Sequence, residues 1–150
     1  MIKAIVLSTA LIAALGLAAC SGVPYAQRVS QRQAAYAAAT GKSVDSFRFF
    51  GSLWSWEPLG TDQLAVYTRP GEAWLLDVPG CTNLEFANAI GLTSSLNQVS
   101  VGFDKVLTGR RFLPCTITRI HAIDVKRLKS VQDKQRKIEL APRAAASTPG

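Results

Sequence analysis

The chain has 150 residues with one His, three Cys and one Met, and 8% of its side chains are aromatic and 18% charged. That length suits a single modest core, and the composition is that of a globular chain rather than a disordered one. One imidazole and three sulfhydryls leave no basis for a metal or haem centre of ordinary ligand spacing, and no cofactor is expected.

Lys3 is the only charge before Arg28, and positions 4–19 hold Ala, Ile, Val, Leu and Gly with Ser8 and Thr9. A positive start, a short apolar run and small residues at its end make a secretory signal. As a membrane-spanning helix the run would cover only roughly 24 Å, short of a hydrocarbon core of about 30 Å. It closes on Leu17-Ala18-Ala19-Cys20, which resembles the lipobox of bacterial lipoproteins. The resemblance implies a diacylglycerol on the Cys20 sulfur, cleavage after residue 19 and acylation of the new amino group. One acyl chain binds a membrane marginally, whereas two or more make a stable anchor. Ser21 follows where an Asp would change the sorting, and this resembles the outer-membrane signal of such lipoproteins. The expected address is the periplasm, with the protein held to the outer membrane of a Gram-negative cell.

Setting Cys20 aside leaves Cys81 and Cys115. An even pair in an oxidising compartment reads as a structural disulfide. Two buried free thiols are the alternative. A redox pair is a third option, although no C-x-x-C spacing is present.

Residues 20–42 read as a lipidated N-terminus and an Ala-rich spacer. Good helix formers run from Gln27 to Thr40, Gly41 stops them, and Val29 and Tyr36 share one thin apolar face. Residues 43–140 read as one globular domain. Its first strand falls in the aromatic-rich stretch Phe47–Trp56. Leu59-Gly60-Thr61-Asp62 and Arg69-Pro70-Gly71-Glu72 are turns around a strand at Leu64–Thr68, and a third strand covers Ala73–Val78. These three strands make an antiparallel meander. Thr82-Asn83-Leu84-Glu85 matches a capping box before a short helix ended by Gly91. Val99, Val101 and Phe103 alternate with polar residues as a half-buried strand, and Phe112–Ile123 forms the last strand. Asp124 caps a basic helix in which Val125, Leu128 and Val131 recur at helical spacing, and residues 141–150 read as a disordered tail. The expected class is α+β: a small antiparallel sheet or partial barrel of four or five strands, short helices, one disulfide and a C-terminal basic helix.

Several pieces occur together in a fixed order: Val44-Asp45-Ser46-Phe47, Trp56-Glu57-Pro58-Leu59, Trp74-Leu75-Leu76, and Cys81 followed by Leu84. Phe103-Asp104, Cys115-Thr116-Ile117 and Ile123-Asp124 complete the set. Over residues 41–130 the chain resembles a domain-of-unknown-function family of small proteobacterial envelope proteins, many with lipoprotein signals. The resemblance implies a small secreted domain with paired cysteines. It implies no activity.

No nucleophile motif, phosphate loop or zinc spacing is present. His121 is the sole imidazole, near Asp124, and Cys115 lies about 20 Å away along an extended strand. His121 or Asp104 would have to serve a small envelope hydrolase, the alternative function; a turn role for Asp104 is the simpler expectation. Trp54, Trp56, Trp74, Tyr67 and Phe103 form either an aromatic groove for a sugar or peptide, or core. Charge is segregated: residues 20–104 carry five basic and seven acidic side chains, residues 105–150 eleven basic and three acidic. Arg110, Arg111, Lys126, Arg127, Lys134 and Lys137 are therefore the candidate anion-binding residues, facing anionic lipid, lipid A phosphates or peptidoglycan carboxylates. Export argues against nucleic acid despite an isoelectric point of 9.7. The functional expectation is a non-enzymatic binding or adaptor protein of the envelope with an unknown protein partner. The third possibility is a purely structural or stress-related lipoprotein.

Overall fold

The computed structural model describes residues 23–146, so the apolar N-terminal run, Cys20 and the last four residues lie outside it. Helix α1, Tyr25–Ala39, passes without a loop into strand β1, Thr40–Val44. β2 (Ser46–Arg48), β3 (Ser55–Pro58), β4 (Gln63–Arg69) and β5 (Glu72–Asp77) follow. Four short strands come next: β6 (Gly91–Leu92), β7 (Gln98–Ser100), β8 (Lys105–Leu107) and β9 (Cys115–Thr116). The chain ends on β10 (Arg119–Ile123) and helix α2 (Val125–Ala146). The class is α+β, and every strand pair is antiparallel.

The main sheet has the order β1-β10-β5-β4-β3, and pairs β2-β7 and the triplet β6-β8-β9 form two smaller sheets. All three are open rather than closed into a barrel. The expected meander is β3-β4-β5, with the two turns at the expected places, but its first strand is Ser55–Pro58, and Phe47 and Arg48 of the expected stretch belong to β2 in a smaller sheet.

Both faces of the main sheet are covered. Leu64, Val66, Leu76 and Ile120 pack with Phe47, Leu84, Val99, Val106 and Ile117 of the smaller sheets and their loops. On the other face Ala65, Ala73, Leu75 and Ile123 meet Ala35, Tyr36 and Ala39 of α1 and Leu128 of α2. Neighbouring residues on a strand point to opposite faces, so Leu64-Ala65-Val66 and Leu75-Leu76 are buried without interruption. The result is three layers: two antiparallel helices, the main sheet, and the smaller sheets.

Several expectations are corrected. The face of α1 is thin but packs firmly, because Ala35 and Ala39 bring the helix close to Ala65 and Ala73. Gly41 does not end the helix; it lies in β1, where a Cβ would stand 3.5 Å from the Ala122 carbonyl oxygen. The capping box is not formed: Leu84–Phe86 is one 3-10 turn with no side-chain cap, and Gly91 opens β6. The strand at Val99 ends at Ser100, and a turn carries Phe103 to 85% exposure. Phe112–Ile123 divides into β9 and β10 because Pro114 delays pairing until Cys115 and Ile117 is held by Asp104. Asp124 does cap α2, its Oδ1 accepting from the Arg127 amide at 3.0 Å. The helix runs through Pro142 to Ala146, rather than giving way to a tail at residue 141, and the good helix formers Arg143–Ala146 favour this.

Cys81 and Cys115 are disulfide-bonded, with Cα atoms 5.5 Å apart. The bond joins the end of β5 to the start of β9 across a sequence separation of 34. Replacing both cysteines by Ala should lower the unfolding free energy by roughly 3–4 kcal/mol in the chain-entropy model. Urea denaturation of the variant beside the oxidised parent measures it.

Candidate functional site

A connected set of partly buried polar groups lies between α1 and the edge of the main sheet. Glu57 on β3 points to the helical layer, opposite Trp56 on the same strand. Arg32 and Tyr36 are four apart on α1 and so share a face. Tyr36 donates to Glu57 Oε2 at 2.6 Å, and Arg32 Nη1 donates to Glu57 Oε1 at 3.2 Å. The Tyr36 and Tyr67 hydroxyls are 2.8 Å apart. Tyr36 has one proton and gives it to the carboxylate, so Tyr67 is the donor in that pair. The hydrogen-bond chain therefore runs Tyr67 to Tyr36 to Glu57, with Arg32 closing it.

Burial pushes the Tyr36 hydroxyl far above its ordinary value, and the hydrogen bond to Glu57 adds to the effect. Tyr67 is also raised, chiefly by burial. Both stay protonated through the physiological range and act as donors. Among the described residues Arg32 Nε is buried without a partner, a donor left unused there.

Two depressions meet over this cluster. One, about 410 Å³, is walled by Trp54, Glu57, Tyr67 and Pro70 from the sheet edge and by Leu128, Lys129 and Gln132 from α2. The other, about 510 Å³, lies between the helices and is lined by Tyr25, Arg28, Arg32, Gln132, Arg136 and Glu139. Gln132 borders both. The Trp54 ring stands edge-on to Tyr67 at 6.3 Å and is 62% exposed. An exposed indole beside fixed donors and a carboxylate can hold a polar ligand with an apolar face.

The aromatic residues singled out from the sequence separate into three groups. Trp54 and Tyr67 border the groove, and Trp56 also contributes to its lining. Trp74 stacks on Phe47 at 5.0 Å and, with Trp56, packs against the core under the smaller sheets. Phe103 belongs to neither.

His121 and Asp104, the two alternative residues for a hydrolase, lie in different layers. His121 is on the helix-facing side of β10, opposite Ser43 and Leu75. Its Nδ1 is buried and has no partner among the described residues. Asp104 lies in the layer of smaller sheets, where Oδ1 accepts from Thr93 Oγ1 and Oδ2 from the Ser100 amide, both at 2.7 Å. It has the expected turn role.

The six candidate anion-binding residues do not form one patch. Lys126, Arg127, Lys134 and Lys137 lie on the solvent side of α2, away from the buried Val125 and Leu128. Arg110 and Arg111 sit in the β8–β9 loop, in the layer on the other side of the main sheet. Arg110 borders an apolar depression with Ile90, Leu107, Phe112 and Pro114. None of the six lines the groove, whose cations are Arg28, Arg32, Lys129 and Arg136. Sequence reasoning missed Arg32, Tyr36 and Glu57. The i, i+4 pair of Arg32 and Tyr36 on an otherwise Ala/Gln helix was the available signal. Among the described residues no group of three metal-ligating side chains occurs, and no helix is long and apolar enough to cross a membrane.

The sequence model of a family of unknown function, DUF6491, matches residues 2–139. The chain belongs to that family. The matched span is wider than residues 41–130 and takes in the apolar N-terminal run, Cys20, α1, all ten strands and α2 as far as residue 139 of this DUF6491 chain. No curated protein and no solved structure matches it.

Tyr36→Phe tests the hydrogen-bond chain. At neutral pH it should cost about 1–3 kcal/mol, because Tyr67 and Glu57 each lose a buried partner. The parent should also lose stability above about pH 10, where the unfolded tyrosines ionise and the folded ones, with raised values, hold their protons. The variant has one such group fewer, so its loss between about pH 9 and pH 11 should be shallower. Urea midpoints across that range decide the matter.

Proposed function

We propose that this protein is a lipoprotein of the cell envelope, anchored to the outer membrane by acylated Cys20, and that its domain is a non-enzymatic binding module facing the periplasm. The observation that carries this reading is the partition of the cysteines. Two are bonded to one another, as suits an oxidising compartment. The third follows an apolar leader in a lipobox-like Leu17-Ala18-Ala19-Cys20. The DUF6491 match spans leader and domain together, which fits a chain in which both have a role.

Binding rather than catalysis is supported by how the polar groups are used. Asp104 is consumed in a turn, and Tyr36, Tyr67 and Glu57 satisfy one another. What remains open to a ligand is the groove beneath Trp54, with Tyr67 and Lys129 on its walls. Its chemistry suits a glycan or peptide segment of the envelope carrying a carboxylate: the indole takes an apolar face and Lys129 takes the charge.

Cells fed radioactive palmitate should label the parent protein, and Cys20→Ala should remove the label and release the domain from the membrane fraction. Equal labelling of both proteins would refute the anchor. A photo-reactive phenylalanine analogue at Trp54 should form an envelope adduct on irradiation, whereas the same analogue at the exposed Phe103 should not. Equal adducts at both positions would remove the groove from consideration.

A further inference from the structure

We infer that the end of the domain formed by the start of α1, the 3-10 turn Leu84–Phe86 and the distal part of α2 rests on the anionic phospholipid surface that holds the anchor; this rests on the lipid-anchored reading above. Three observations converge on that end. The first is where the helices stop. α1 and α2 are antiparallel: the Asp124 amide donates to Ala39 at one end, and Gln135 Nε2 reaches the Gln31 carbonyl further along. With 15 and 22 residues the helices are roughly 22 and 33 Å long, so α2 overshoots the start of α1. Val23 and Tyr25 accordingly share a depression with Arg136 and Glu139.

The second is the surface at this end. Tyr25 donates to Glu85 Oε1 at 3.0 Å, which places the 3-10 turn beside the start of α1. Phe86, the next residue, is 79% exposed, and Tyr25, Ile138 and Leu140 are 55%, 71% and 55% exposed. Lys134 and Lys137 are exposed on the same stretch of α2 and form no ion pair among the described residues. Apolar side chains flanked by lysines match a headgroup boundary, where the rings and alkyl groups enter and the ammonium groups meet phosphate.

The third is the length of chain leading to it. Cys20 precedes Tyr25 by five residues, which span at most about 18 Å when fully extended. An acylated Cys20 therefore brings this end, and no other, close to the bilayer. Phe103 and Leu113, 85% and 89% exposed, belong to the layer of smaller sheets on the other side of the main sheet and serve as internal controls.

The test is hydroxyl-radical footprinting of the full acylated protein, purified from membranes and reconstituted in vesicles of phosphatidylethanolamine and phosphatidylglycerol. Oxidation of Tyr25, Phe86, Ile138 and Leu140 should fall by about threefold or more relative to Phe103 and Leu113. Phe86→Ser combined with Ile138→Ser and Leu140→Ser alters only exposed side chains and should restore Tyr25 oxidation to the level of the controls. Lys134→Glu with Lys137→Glu should weaken the protection, as should vesicles without phosphatidylglycerol. Protein that carries acyl chains by intact mass and floats with vesicles, yet is oxidised evenly at all six positions, overturns the docking and leaves the anchor standing. Protein without acyl chains that does not float overturns both. Protection accompanied by amine cross-links between copies at Lys134 or Lys137 assigns the surface to a second copy and also overturns the proposal.

Discussion

The structure depends on a small antiparallel sheet being covered on both faces. A sheet with one wet face needs only one apolar set per strand, but β4 and β5 are buried on both. Leu64, Val66 and Leu76 belong to one core, and Ala65, Ala73 and Leu75 to the other. The chain must therefore supply two covering layers from little material. It uses the two terminal helices for one, and β2 with the long excursion between β5 and β10 for the other. β10 then returns to the middle of the sheet, between β1 and β5. The disulfide sits near both ends of this excursion, with Cys81 just after β5 and Cys115 just before β10. Short strands of two or three residues have weak pairing of their own, and the bond keeps their layer in register with the sheet.

Double coverage also decides what the polar residues do. Glu57 is on the helix-facing side of an edge strand, where an unpaired carboxylate would be costly. Tyr36 and Arg32 satisfy it and thereby fix α1 against the sheet. Asp104 performs the corresponding task on the other side, joining Thr93, Ser100 and Ile117 around one turn. Buried acids here hold the layers in place. Five groups are left unsatisfied among the described residues: Thr68 Oγ1 on β4, Trp74 Nε1 and Thr108 Oγ1 toward the smaller sheets, and Arg32 Nε and His121 Nδ1 in the helical half. That half is also where Trp54 stands open to solvent.

Local signals were read well from the sequence and distant ones were not. The meander was legible because its turns carry Gly, Asp and Pro between apolar runs. The Asp124 cap was legible because it stands directly before a helical repeat. The pairing of Cys81 with Cys115 followed from parity and compartment. The capping box failed because the pattern of Thr82 and Glu85 is short and the bridge at Cys81 holds the chain in a turn too brief for a helix. The docking of α1 was hidden because Ala on a helix signals propensity before it signals close approach. The site was hidden for a similar reason. Tyr36 and Glu57 are 21 residues apart, and only the register of β3 on β4 turns Glu57 toward the helices.

The same geometry changes the meaning of the basic excess in the last third of the chain. Eleven basic residues after position 104 looked like one electropositive end. Folding divides them: Arg110 and Arg111 go to the layer of smaller sheets, and the lysines of α2 to the helical layer. Within the helical layer the two depressions follow the helices from Trp54, near the start of α2, to Tyr25, at the start of α1. A tether attached ahead of Tyr25 would hold the Tyr25 end near the membrane and leave the Trp54 end facing outward. The ligand would then enter from the periplasmic side, across Trp54 and Lys129. The charges further along α2 would serve the membrane rather than the groove, so two sets of cations on one helix would answer to two different anionic surfaces.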